Sequence, residues 1–157
     1  MENKQQYKQS KIKKMLSELI TKETKSVMKK ALLRFSKEKG IAPTENQLLI
    51  CGGPEGMPFY KYMVNFKPEN TLTFNEILGV TFDFKSREVL ATPFMQNAIM
   101  RLSTEKELSP QDIQIMIFTS TDKCKDVNLF AYNNGKKIQP VTFEWLFKEG
   151  VELKDLM

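Results

Sequence analysis

Only a few residues in this chain have types and spacing that could do chemistry. Glu69 after Pro68, and Asp83 and Lys85 around Phe84, put two carboxylates and an ammonium in two short runs of the chain. Asp122 and Asp126 flank Cys124 in a second acidic grouping, which reads by default as a solvated polar turn. There is no histidine, which removes Ser-His-Asp and Cys-His nucleophiles, His-ligated zinc and imidazole acid–base catalysis. Cys51 and Cys124 cannot form a CxxC site and read as free buried thiols in a reducing compartment. The stretch from Gly52 to Pro58 lacks the Gly-Lys-Ser/Thr ending of a phosphate loop, and its prolines remove amide donors, so it reads as a surface loop.

The order Pro68-Glu69 … Asp83-Phe84-Lys85 loosely resembles the Pro-Asp, Asp/Glu-x-Lys pattern of metal-dependent restriction-type nucleases. The resemblance implies a magnesium ion on the two acids and a water positioned by Lys85. It departs from that pattern at Glu69, where the family carries Asp, and it spans a small part of the chain. A nuclease is therefore kept as an alternative. The main expectation is a protein with no catalytic residues, no cofactor and no metal.

Charge is distributed unevenly. Of the 24 Lys and Arg and 19 Asp and Glu that give a formal +5, residues 1–39 hold twelve basic and four acidic side chains, a net +8, and the remainder is net −3. This split suggests a basic helical arm at 1–39 and one globular domain at 40–157, a fit for 157 residues with 41% hydrophobic content. Lysine far outnumbers arginine, which disfavours the bidentate forks used to read bases. No apolar run approaches the roughly 20 residues of a membrane span, and the N-terminus lacks a signal peptide's apolar core. An intracellular protein follows as the expectation, within a viral particle if the Lys-rich composition reflects a phage genome.

The elements that position these residues begin with a helix from Gln6 to Lys39, stopped by Gly40. It carries two apolar stripes, Ile12-Met15-Leu16-Leu19-Ile20 and Val27-Met28-Ala31-Leu32-Phe35, rotated from one another. The helix either kinks at Thr21–Thr24, with Thr24 as a cap, or contacts two neighbours. Strands are expected at 47–51 and 59–67, the latter alternating Tyr60, Tyr62, Val64 and Phe66 against Lys61, Met63, Asn65 and Lys67. An exposed aromatic face there would stack single-stranded bases, and a buried one would be core. Residues 71–78 are ambiguous, 80–84 and 88–91 read as a hairpin, and Thr92-Pro93 reads as the start of a second helix ending near Glu107. A strand at 113–119 is preferred over a helix because its isoleucines alternate. A hairpin turns at Asn134-Gly135, and Thr142 caps a short helix from Phe143 to Glu149. No internal repeat is read. The fold class is α+β, a long N-terminal helix followed by a mainly antiparallel sheet with helices on one face.

Two surfaces are the candidates. Lys22, Lys25 and Lys29 form one cationic ridge and Lys30, Arg34 and Lys37 another, suited to an acidic partner surface or to nucleic acid. Phe143, Trp145, Phe147 and Leu156 crowd too many large side chains into one short segment, and so are expected to serve a protein interface. The function expected is a non-catalytic assembly or adaptor protein whose basic helix docks on an acidic surface, with other subunits or its own copies as partners. A nonspecific nucleic-acid binder using the same helix is the alternative.

Overall fold

The computed structural model describes residues 4–73, 76–77 and 84–146. Lys4–Lys39 form a single helix, α1, of 36 residues and roughly 54 Å. It runs unbroken through Thr21–Thr24, where Thr21 Oγ1 donates to the Ser17 carbonyl at 2.8 Å and Thr24 is buried within the helix. Its end is set by Gly40 at φ +67°, with Ile41 N–H donating to the Ser36 carbonyl at 3.0 Å. Three strands follow, β1 (Asn46–Gly52), β2 (Pro58–Val64) and β3 (Lys67–Leu72). A second long helix, α2 (Phe84–Lys106), leads to β4 (Ile113–Phe118), β5 (Asn128–Asn133), β6 (Lys136–Val141) and the short α3 (Phe143–Leu146). The strands make one antiparallel sheet in the order β3-β2-β1-β4-β5-β6, so the chain is of mixed α+β class.

Period-two alternation divides the sheet. Leu48, Ile50, Tyr60, Tyr62, Ile113, Ile115, Ile117 and Leu129 share one buried cluster with Met28, Ala31 and Leu32 of α1 and Met95, Ala98, Ile99 and Leu102 of α2. The C-terminal half of α1 therefore belongs to the body, and burial divides the helix at a different place from charge. Tyr60 and Tyr62 are core, so the aromatic face of β2 is not a base-stacking platform.

Several local expectations are corrected. Residues 59–67 are not one strand: Asn65 and Phe66, at φ +49° and +65°, make a two-residue turn into β3. Pro68 lies inside β3, which tolerates it as an edge strand. The segment Glu88–Ala91 is helical, and Thr92-Pro93 lies inside α2 instead of starting it. Local start signals there give way to the burial of Met95, Ala98, Ile99 and Leu102. Residues 80–83 and 147–157 fall outside the described residues, and with them Asp83, Phe147, Leu156 and the end of the last helix.

The fold is also built twice, where no repeat is read from the sequence alone. Residues 28–50 and 95–117, 67 positions apart, carry the same amino acid at nine of 23 positions: Met28, Ala31, Arg34, Ser36, Glu38, Lys39, Pro43, Gln47 and Ile50 against Met95, Ala98, Arg101, Ser103, Glu105, Lys106, Pro110, Gln114 and Ile117. The geometry repeats with them. Glu107, the counterpart of Gly40, has φ +54°, and Leu108 N–H donates to the Ser103 carbonyl at 3.0 Å. A 3₁₀ turn beginning with proline precedes both β1 and β4.

From β2 onward the offset is 69, because the stretch from Ile117 to Asn133 is two residues longer than the matching stretch from Ile50 to Val64. The pairs Val64↔Lys67 and Tyr62↔Asn70 recur as Asn133↔Lys136 and Ala131↔Gln139, including a register shift at the same place in each hairpin. In the centre of the sheet Leu48↔Ile117 and Ile50↔Ile115 are related by a two-fold operation, and Leu49↔Met116 maps onto itself. A pseudo-two-fold axis thus passes between β1 and β4.

Candidate functional site

The duplication separates what the fold requires from what has been added. Phe84, the first described residue of α2, corresponds to Ser17 in α1, so α1 begins well before the position that matches it. Ser17 and Thr24, like Met28, Ala31 and Leu32 further on, are buried. Ile12, Met15 and Leu19 are 48%, 59% and 48% exposed. At 100° per residue they lie roughly half a turn around the helix from the buried set. These three residues of the first apolar stripe thus face away from the body. Exposed Lys11, Lys22 and Lys29 run along one side of the stripe, Lys14, Glu18 and Lys25 lie further round toward Glu144 of α3, and exposed Lys30 and Lys37 continue the outward face toward the C-terminal end.

Arg34 differs from the lysines with which the sequence groups it. Its Nη2 donates to the carbonyls of Glu76 (2.6 Å) and Ile77 (2.9 Å). Arg101, its counterpart in α2, donates from Nη2 to Trp145 (2.8 Å) and Leu146 (2.7 Å) and stacks 4.5 Å from the Trp145 ring centroid. The capping threonines match as well: Thr73 Oγ1 accepts from Glu76 N–H at 3.1 Å, and Thr142 Oγ1 from Trp145 N–H at 3.0 Å. Two of the three arginines in a lysine-rich chain therefore do the same job, each holding two successive carbonyls through one guanidinium nitrogen. Of the expected interface residues, Phe143 is core and Trp145 is half-buried beneath Arg101.

Asp83 lies outside the described residues, and among those described the acidic candidates do not converge. Glu69 is exposed on β3, and Lys85 lies in helix α2 instead of a hairpin turn. Among the described residues no three His, Cys, Asp or Glu are grouped to hold a metal. Asp122 accepts from Thr44, whereas Asp126 organises the β4–β5 connection, accepting from Ser120 (2.9 Å), Asn128 (2.8 Å), Thr119 and Thr121. These hydrogen bonds, led by Asn128, hold its carboxyl down to about 2. A carboxylate favoured by folding contributes fully above the unfolded value near pH 4 and is lost as pH falls toward 2. Wild type is therefore expected to lose melting temperature between about pH 4 and pH 2 more steeply than Asp126→Asn, as checked by thermal melts across that window.

The remaining surface is the sheet face opposite the buried cluster. A groove of about 640 Å³ lies there, lined by Leu49, Cys51, Phe59, Lys61, Met63 and Met116, with Phe66 and Pro68 at one end and Gln111, Gln114, Tyr132, Asn134 and Gly135 at the other. The sequence gives no direct signal for it, since its lining comes from five separated segments. Cys51 and Cys124 are both free and buried. Burial pushes the Cys51 thiol up to about 11, partly offset by the charge of Lys61, so it is neutral and unreactive near pH 7. Compared with family models, curated proteins and solved structures, the chain matches none. No described helix is long and apolar enough to cross a membrane.

Proposed function

We propose that this protein is a non-catalytic adaptor or assembly component whose N-terminal helix docks on the acidic, partly apolar surface of a protein partner. The observation that carries this reading is the exposed stripe Ile12-Met15-Leu19, flanked by exposed Lys11 and Lys22 toward the N-terminal end of α1. A phosphate backbone would require the lysines alone. Spacing at i, i+3 and i+7 is the pattern by which a helix anchors in a groove or against another helix. A second copy of the same arm would bring lysine against lysine, so charge favours an acidic partner.

The test uses the full chain and two labelled probes, a synthetic amphipathic helix with leucines along one face and glutamates on both flanks, and a duplex DNA. Fluorescence anisotropy is expected to show saturable binding of the acidic helix that weakens at least tenfold between low and physiological salt. Tighter binding of the DNA, or no binding of the acidic helix at low salt, would refute the reading.

A further inference from the structure

We propose that the groove on the open sheet face is a binding site for an amphipathic monocarboxylate, its acyl or aryl body over Leu49 and Met116 and its carboxylate at Lys61. This does not depend on the role of the arm.

The groove exists because the two halves of the fold differ there. Cys51 stands where the second half has Phe118, and Gly135 where the first half has Phe66. At the Cys51–Gly135 end both side chains are small, whereas the equivalent positions at the opposite end are filled by phenylalanine. The hollow lies within the range of small-molecule sites. Its floor is apolar: Leu49, Met63 and Met116 are half-buried or buried between the neighbouring strands.

The charge of the groove is as specific as its shape. Among the described residues Lys61 is the one basic side chain in the lining and no carboxylate joins it, while burial leaves Cys51 and Tyr132 un-ionised near neutral pH. Lys61 is itself a departure from the repeat, since its counterpart is Phe130. Its ammonium sits 5.9 Å from the Phe59 ring centroid at the groove wall. One cation over an apolar floor selects an apolar body with one negative charge, and it opposes a second copy's lysine-rich arm.

Dodecanoate, dodecanol and dodecyltrimethylammonium are titrated into the full chain by calorimetry. Dodecanoate is expected to bind saturably at one site, dodecanol at least fivefold more weakly, and the cationic probe not at all. Lys61→Gln is expected to weaken dodecanoate at least fivefold and leave dodecanol unchanged, with Lys137→Gln, elsewhere on the same face, having no effect. Cys51→Phe and Gly135→Phe place in the groove the side chain already carried by the other half. Gly135 has φ +85°, close to the +65° that Phe66 adopts, and open space around a Cβ. Each phenylalanine is expected to abolish binding while the melting curve remains cooperative. Absence of saturable dodecanoate binding, equal binding of the cationic probe, equal loss in Lys61→Gln and Lys137→Gln, or full binding in both phenylalanine variants would overturn the assignment. So would binding of the synthetic acidic helix to this face, lost in Gly135→Phe, with no binding of dodecanoate.

Discussion

Arg101→Ala is expected to destabilise the fold by about 3 kcal/mol, and Arg34→Ala by about 2 kcal/mol. Each guanidinium donates to two successive carbonyls on the segment that follows the third strand of its half. Removing it leaves those carbonyls without their charged partner. The smaller value for Arg34 reflects the solvent exposure of one of its bonds. For a chain of this length, 3 kcal/mol corresponds to roughly 6–12 °C in melting temperature. A lysine ammonium lacks the planar group that stacks on the Trp145 ring, so Arg101→Lys is expected to recover less than half of the loss. Full recovery in the lysine variant would show that a positive charge alone suffices at this site. Loss confined to Arg101 would break the equivalence of the two halves.

Gly52→Ala is expected to be at least as damaging. A Cβ at Gly52 would overlap the Pro110 carbonyl and press on Ile99 Cγ2 at 3.0 Å. The obstacle is backbone, in the 3₁₀ turn Pro110–Asp112 that leads into β4, so a rotamer change cannot relieve it. Overpacking of this kind costs typically 1–3 kcal/mol, more when backbone must move. The expected result is a loss of about 3 kcal/mol in chemical denaturation, with Gly40→Ala as comparison: that site is spatially open and strained only by its φ of +67°.

Much of the fold is legible in the sequence where local chemistry and tertiary need agree. Gly40 ends α1, Asn134-Gly135 turns the last hairpin, and Thr142 caps α3. Where they disagree, the sequence misleads. Asn65-Phe66 makes the same turn as Asn134-Gly135, but Phe66 continues the aromatic alternation of β2 and so reads as strand. Thr92-Pro93 resembles a helix start because the propensity signal is local, yet the helix already runs from Phe84 through it. Arg34 reads as one cation in a ridge, and only its contacts with Glu76 and Ile77 show it to be structural. The exposed lysines are plain in the sequence. That Ile12, Met15 and Leu19 lack cover is not, because an apolar stripe looks the same whether it faces a core or solvent. The repeat is present in the letters of 28–50 and 95–117, but its helix starts are obscured by the extension of α1 and by Pro93.

The outward stripe of α1 is the centre of the functional account, and substituting it tests that account most directly. Ile12→Gln, Met15→Gln and Leu19→Gln combined remove apolar side chains that are exposed in the folded chain, so the melting temperature is predicted to stay within about 2 °C of wild type. Affinity for the synthetic acidic helix, measured by calorimetry at low salt, is predicted to fall about 100-fold, near 3 kcal/mol for three buried contacts. Unchanged affinity in this triple variant, with melting also unchanged, would contradict the claim that the arm docks through its apolar stripe.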